Sequence, residues 1–417
     1  MSFSPELFAG FCREYPELLK VEERSDTMDD DMQFAAQLQR ERLKKRGLEL
    51  NYVITPRGHF PEGGKVQRTW SDGMYTNRMD VRSCNMEREI LSSGKRIFRD
   101  RQDKLLYITA VDLLGGSRNV EKEPYICPNC GNVSTIGALR GGCPYCGTHF
   151  EISQLYPRVG GYYYVKEIGG TEKEVYGEVK KHMLPTAVIL GVFGLISGIL
   201  GWDKESTVLS VLGVIFMTAF SAGAGAIMGY MIWAIRKLGG IFYEAGKALK
   251  VLPGVLGSRK KFEQKMMTVS PEFSYDYFVN KVGTIAKQMI FSDDPAKLPI
   301  CVGEHVENPY SDVVDAQFRG VATLKSFRQE GNMIHVRVAA EFDLLRKTAI
   351  GYRNRRQFVT LALSRDISTP LRMNYSIKKV SCRGCGGSFD ATRTDRCPYC
   401  GREYDIRSED WFVTAIR

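Results

Sequence analysis

The sequence predicts an α+β fold with two soluble α+β domains, each carrying a zinc ribbon, separated by a two-helix transmembrane hairpin. Three observations support this class. Four Cys-x-x-Cys pairs form two quartets, one on each side of a long apolar block. Within that block, residues 184–202 and 207–235 contain no Asp, Glu, Lys or Arg. Both flanks show apolar residues at helix and strand spacing, which is typical of folded domains.

Composition narrows the classes of function. The 417 residues carry a formal net charge of +10, which favours a polyanionic partner such as nucleic acid or an anionic membrane surface. The apolar block favours the membrane. The N-terminus has no basic segment followed by an apolar one, so a cleaved signal peptide is not expected. Eleven cysteines are an odd total, which argues against a secreted disulfide scaffold. Cys12, Cys84 and Cys301 lie outside the quartets and are expected to be buried small hydrophobic residues.

Residues 1–126 are predicted to form an N-terminal α+β domain. A helix is expected over 29–48, ending at Gly47, and strands over 75–86 and 105–114. The order of strand, ribbon and closing strand resembles that of the C-terminal part. The first domain is therefore either a duplicate of the C-terminal one or an unrelated domain with a convergent ribbon. Residues 151–182 are assigned to closing strands and a linker.

The cysteine quartets are predicted to be two structural zinc sites, in ribbons at residues 127–150 and 382–400. Their spacings, C-x2-C-x12-C-x2-C and C-x2-C-x11-C-x2-C, bring four thiolates together from two tight turns. The predicted metal ligands are Cys127, Cys130, Cys143, Cys146, Cys382, Cys385, Cys397 and Cys400. The expected cofactors are two Zn²⁺ ions, with iron as the alternative because four thiolates bind it too.

A closed four-cysteine site has no open position for a substrate, so the ribbons are expected to be scaffolding or binding surfaces. Cys-Pro-Tyr-Cys also occurs in glutaredoxin-type redox sites, but here strand-like segments follow it where such a fold has a helix. The spacers hold few unpaired basic residues, so nucleic-acid binding by the ribbons is not expected.

Residues 183–235 are predicted to be a transmembrane hairpin with helices at 184–202 and 207–235. The first segment spans about 28 Å, close to the thickness of the hydrocarbon core. Small residues recur every four positions, which lets helices approach closely in lipid. They are Gly194, Gly198, Ser221, Gly225 and Gly229. A hairpin buried in a soluble domain, and one spanning helix with a re-entrant one, remain alternatives.

The flanks of the hairpin are rich in Lys and Arg, whereas the connecting turn contains only Lys204. The positive-inside rule then places both termini in the cytoplasm, and we expect an integral protein of the plasma membrane. Residues 236–265 are assigned to a basic juxtamembrane linker. Part of it, over 239–255, is either a surface helix on anionic lipid or a solvated segment, and Pro253 is expected to end any helix there.

Residues 266–417 are predicted to form an α+β cone with the second ribbon inserted. Helices are expected over 271–292 and 310–318. Strands are expected over 316–329, over 333–345 after a turn at 330–332, and over 358–364, 373–380 and 411–416.

Residues of about 262–417 resemble the Tim-forty-four-like domain family, named after the C-terminal domain of the mitochondrial inner-membrane translocase subunit forty-four. That domain has a nuclear-transport-factor-two-like cone fold. The resemblance rests on the opening amphipathic helix, the alternating strand with the letters AEFDLL and the closing segment 410–416. It implies a non-catalytic domain that docks on anionic membrane and binds protein partners. The inserted ribbon departs from the family pattern.

The expected function is a membrane-anchored, zinc-binding, non-catalytic scaffold or adaptor with an unidentified protein partner. No catalytic or cofactor-binding residue is assigned. One alternative is a lipid or small-ligand binder, possibly an enzyme, with a pocket near His335, Glu341 and Asp343, although these residues also fit an outward polar face. Another is a membrane-tethered nucleic-acid binder. A basic turn region is expected either to be solvated or to touch anionic lipid; it comprises Arg346, Lys347, Arg353, Arg355 and Arg356.

Overall fold

The structure, a computed structural model, is a mixture of helices and strands. It describes residues 5–22, 24–57, 66–72, 75–113, 120–139, 141–150, 157–166, 172–202, 206–271, 273–303, 307–368, 376 and 378–417. Contacts divide the chain into two compact units. One, here called the α+β unit, contains residues 1–166 and 255–417. The other, the hairpin unit, contains residues 167–254.

The first half of the α+β unit (residues 1–166) builds a five-stranded antiparallel sheet. Its elements are α1 (Pro5–Leu18), α2 (Asp30–Lys45), β1 (Leu48–Pro56), β2 (Val66–Asp72), β3 (Tyr75–Ser92), β4 (Lys95–Leu113), β5 (Pro124–Ile126), β6 (Val133–Thr135), α3 (Ile136–Leu139) and β7 (Arg158–Lys166). The strand order is β1-β3-β4-β7, with β2 paired to β3. The predicted helix over 29–48 is confirmed as α2, which Asp29 caps by accepting a bond from Asp31 N.

The rest of the chain contains the long helices and a second sheet. Its elements are α4 (Glu172–Leu200), α5 (Thr207–Val269), α6 (Tyr275–Phe291), β8 (Val313–Glu330), β9 (Met333–Thr348), β10 (Gly351–Asp366), β11 (Lys379–Ser381), β12 (Ser388–Asp390) and β13 (Phe412–Ile416). The second sheet is antiparallel with the order β8-β9-β10-β13. The predicted turn at 330–332 is confirmed, and Gly331 supplies its positive φ of 58°.

The two sheets share one plan. Strand β4 leads into the first ribbon and β7 returns to pair antiparallel with it, just as β10 leads into the second ribbon and β13 returns to pair antiparallel with it. Each closing strand is also flanked on its other side by a short parallel bridge, Met28 with Val159 in one half and Cys301 with Val413 in the other. The strand order and the place of the ribbon are therefore repeated within the α+β unit.

The two halves pack together, so the division into two separate soluble domains is not confirmed. Helix α2 of the first half packs on α6 of the second, and β7 lies beside β8. Arg42 donates to the carbonyl oxygens of Ser292 and Tyr310 at 2.9 and 3.0 Å. Arg88 on β3 forms a buried ion pair with Asp315 on β8 at 2.8 Å. These contacts bury polar groups from both halves in one common interior.

Two local predictions are wrong. Residues 310–318 were expected to be helical, but β8 begins at Val313, and Phe318 pairs with Phe342 across the sheet. Burial against β9 therefore overrides the weak helical spacing. Pro253 was expected to end any helix over 239–255, but α5 continues through it to Val269. A proline removes one hydrogen bond from a helix, and long helical segments continue on both sides of this one. Of the predicted strand over 373–380, half of the residues lie outside the described ones; β11 covers its end.

The hairpin unit contains two helices long and apolar enough to cross a membrane. They are Tyr176–Leu200, with 25 residues, and Thr207–Gly239, with 33 residues. Only 11% and 6% of their most apolar windows are buried, which differs from the core of a soluble protein. The residues 203–205 that connect them lie outside the described ones. These two segments confirm the predicted hairpin helices by length and composition.

The small residues of the hairpin lie where the two helices meet. A Cβ atom on Gly198 would stand 2.8 Å from Val214 Cα, and one on Gly225 would stand 2.8 Å from Ala187 Cα. No real side chain tolerates such a distance to backbone, so glycine is required for this approach. The predicted packing role of the small residues is thus confirmed.

Candidate metal centres

Each Cys-x-x-Cys-Gly segment folds into the same knuckle. In the first, Gly131 N donates to Cys127 O at 2.8 Å, and Cys127 N donates to Asn132 O at 2.9 Å. The other three knuckles repeat both bonds at 2.8–2.9 Å. The glycines that follow the second cysteine of each pair have φ between +69° and +78°. A side chain disfavours this conformation, which explains why glycine stands there.

The knuckles bring the eight predicted ligands into two groups of four. In the first, the Sγ atoms of Cys127 and Cys146 are 3.7 Å apart, and those of Cys130 and Cys143 are 3.8 Å apart. The corresponding pairs of the second group are 3.5 and 3.6 Å apart. Four sulfurs about 2.3 Å from a central ion form a tetrahedron with edges of about 3.8 Å. Each group can therefore hold a metal ion.

The surroundings act on the thiols in both directions: burial raises the pKa of Cys127, Cys385 and Cys397, whereas hydrogen bonds to sulfur favour the thiolate form that a metal ion requires. Backbone Cys130 N lies 3.4 Å from Cys127 Sγ, and Gly384 N lies 3.3 Å from Cys382 Sγ. The Thr148 hydroxyl and backbone amide lower the pKa of the Cys146 thiol to about 6. All eleven cysteines are free of disulfides. Cys12 and Cys84 are buried as predicted, whereas Cys301 is only partly buried.

Each ribbon has a small apolar core beside its sulfurs. In the first, Ile136, Leu139 and Phe150 pack on two of the ligands. In the second, Phe389 and Ile406 pack on three ligands together with Phe412 of β13. The second centre is thus continuous with the closing strand of its sheet.

The two ribbons also contact each other, which the sequence does not reveal. Ser388 N donates to His149 O at 2.5 Å, and His149 N donates to Tyr399 Oη at 3.1 Å. Gly386 lies so close to Pro128 that a Cβ would come within 2.7 Å of the ring. His149 is exposed, and its backbone joins the two ribbons.

The other candidate residues form ion pairs and hydrogen bonds. Glu341 is buried and pairs with Arg319 and Arg356. Asp343 accepts from Arg319 at 2.8 Å. His335 is partly exposed and lies 2.7 Å from the Ser364 hydroxyl. None of these three candidates lines the cavity beside Asp31 or the one beside Lys287.

A polar cavity of about 40 Å³ lies between α2, α6 and the first sheet. It is lined by groups that include Asp29, Asp31, Asn280 and Lys281. Burial first, and then the neighbouring Asp29, raise the pKa of Asp31 to about 7. A volume of this size holds about three water molecules.

Comparisons with protein-family models, with curated proteins and with solved structures found no match.

Proposed function

We propose that this protein is a membrane-anchored, zinc-binding, non-catalytic adaptor, whose α+β unit binds a protein partner and anionic lipid on the cytoplasmic face of the plasma membrane. One observation carries the proposal: two four-cysteine groups with closed geometry occur on the same chain as two exposed apolar helices. Thiolate sites persist where thiols stay reduced, which favours a cytoplasmic location. Four protein ligands leave a metal ion no open position, which favours a binding role over catalysis.

Charge asymmetry supports the orientation. Lys173, Lys180 and Lys181 precede the uncharged segment 184–202, and Arg236 and Lys237 follow the uncharged segment 207–235. The positive-inside rule places both of these flanks in the cytoplasm.

Two adjacent β-turns support contact with anionic lipid. The rings of Phe98 and Tyr352 are 5.9 Å apart, so the β3–β4 and β9–β10 turns lie side by side. Each turn exposes one isoleucine, Ile97 at 45% and Ile350 at 78%. The exposed basic residues around them are Lys95, Arg96, Lys347, Arg353 and Arg355. Basic residues beside an apolar tip are the combination that binds the surface of an anionic leaflet.

The shared strand order of the two sheets also supports a duplication, in which the second half retains the Tim-forty-four-like plan. Under that proposal the protein-binding and membrane-docking roles implied by the family resemblance apply to both halves. The polar cavity beside Asp31, at about 40 Å³, is smaller than the pockets of about 300 Å³ or more that hold small ligands, so it does not support the alternative role of a lipid or small-ligand binder.

The proposal is tested by crosslinking the full chain in intact cells and purifying it with detergent. We expect it in the membrane fraction, with one dominant protein partner and with both termini protected from protease added outside. Recovery with lipid alone and no protein partner would favour the ligand-binding alternative. Salt-sensitive capture of nucleic acid would favour the third class.

A further inference from the structure

The first ribbon exposes an apolar face. Ile126, Val133 and Tyr145 are 64%, 60% and 65% exposed. Ile126 and Val133 are direct partners across the β5–β6 hairpin, so their side chains lie on one face. At the matching positions the second ribbon has Ser381 and Ser388. Large apolar side chains are therefore exposed on one ribbon only.

The matching face of the second ribbon is already in use. Ser388 N donates to the carbonyl oxygen of His149, and the amide of His149 donates to Tyr399 Oη. The backbone of His149 thereby lies beside the edge of β12, with both its carbonyl oxygen and its amide bonded to the second ribbon. Within this chain, the face therefore binds a peptide backbone through one strand amide and one tyrosine hydroxyl.

The first ribbon presents the same pair of groups. Cys382 N donates to Gly387 O, so the next amide along β12, that of Ser388, turns away from its hairpin partner. Cys127 N donates in the same way to Asn132 O, and the amide of Val133 consequently turns outward from β5. Tyr145 stands where Tyr399 stands in the second ribbon.

A second copy of the chain does not supply the matching segment. In the second ribbon the residues that correspond to 148–150 are 402–404. These already pair within their own ribbon, since Glu403 bridges to Arg396 and Tyr404 N donates to Asp395 O at 2.7 Å. In a contact between the ribbons of two chains, residues 402–404 are therefore not available to bind the outer edge of β6.

We infer that the outer edge of β6 binds an extended segment of a different protein, with its backbone on Val133 N and Tyr145 Oη and an apolar side chain over Ile126 and Val133. This inference rests on the proposed adaptor function and assigns the partner's docking surface. Bonds to the main chain supply affinity in this mode of recognition, and the apolar contacts supply specificity.

The test uses the full chain in intact cells, with the photo-crosslinking residue p-benzoylphenylalanine in place of exposed Pro144, which is next to Tyr145, so that the Tyr145 hydroxyl is kept. The same residue in place of exposed Lys122 is the control for chance encounters. We expect the adduct at position 144 to map to one contiguous segment of one protein. Val133→Pro removes the outward amide but no ladder bond of the hairpin, and Ile126→Asp removes the apolar contact. Each is expected to lower the adduct yield at least tenfold. The control Val53→Asp changes an exposed side chain of β1 and should leave the yield unchanged.

Two zinc ions per chain in both variants show that the ribbon remains folded. If Val133→Pro loses zinc, the adduct yield of Ile126→Asp is the result that tests the inference. Adducts with a second copy, with lipid or with many unrelated proteins would overturn the inference. So would a yield that neither variant lowers. If position 144 captures nothing while probes elsewhere on the α+β unit capture one partner, this surface is wrong and the adaptor proposal stands. If no position captures a protein, both fail.

Discussion

Lys287 on α6 provides a test of how the two halves of the α+β unit pack. Its ammonium contacts the Tyr162 hydroxyl and lies 4.1 Å from the centre of the Tyr162 ring and 5.8 Å from that of Tyr15. Both tyrosines belong to the first half of the unit. Burial lowers the pKa of Lys287 to about 7, opposed by the charge of Asp315. The Lys287 ammonium is buried only because the two halves pack together. The free-energy cost of burying its charge therefore reports on that packing.

The sign and size of the effect follow from proton linkage. An ordinary lysine has a pKa of about 10.4, so between pH 7 and 10 the unfolded chain binds more protons than the folded one. Stability therefore rises with pH in this window. The penalty of the charged Lys287 is about 4 kcal/mol at pH 7 and about 2 kcal/mol at pH 9. Lys287→Met removes it and loses about 1–2 kcal/mol of the hydrogen bond to the Tyr162 hydroxyl and its packing.

We expect Lys287→Met to stabilise the protein by about 2–3 kcal/mol at pH 7 and to have almost no effect at pH 9. Denaturant unfolding in detergent, followed by tryptophan fluorescence at both pH values, measures the difference. Lys297→Met is the control, because that side chain is 83% exposed. A stability difference between Lys287→Met and wild type that is the same at pH 7 and 9 would refute the reasoning.

Three further predictions concern the helical hairpin, the shared interior and the basic turns. Gly225→Leu should destabilise the hairpin by about 1–3 kcal/mol in thermal unfolding, since a Cβ there meets backbone, whereas Gly223→Leu should have little effect because nothing lies within 4 Å. Arg88→Ala leaves Asp315 buried without its partner and should cost about 3–5 kcal/mol in denaturant unfolding; a loss below 1 kcal/mol would contradict the buried pair. In nanodiscs with anionic lipid, hydrogen exchange at residues 345–356 should be slower than in neutral ones, and charge reversal should abolish the difference. The three reversals are Lys347→Glu, Arg353→Glu and Arg355→Glu.

Sequence patterns that depend on neighbours in the chain predict this structure well. The cysteine spacing determines the two metal centres because each knuckle is a local turn closed by its own backbone bonds. The uncharged runs predict the hairpin helices, since length and composition alone distinguish them. Gly331 marks the β8–β9 turn, where positive φ excludes most other residues.

Features that depend on distant parts of the chain were missed. Helix α1 and strand β1 were not predicted, and 310–318 was assigned to a helix although its residues pair with β9. The packing of the halves depends on pairs such as Arg88 with Asp315, which are separated by 227 positions. The ribbon–ribbon contact uses the backbone of His149, and a backbone group leaves no signal in the side-chain pattern.

The ratio of zinc to protein, measured on the full chain recovered from the washed membrane fraction, tests the central claim most directly. The account predicts two zinc ions per chain, falling to one in Cys400→Ser and unchanged in Cys301→Ser, which lies outside both centres. Fewer than two zinc ions in the wild-type chain, or recovery of the chain without detergent in the soluble fraction, would contradict it.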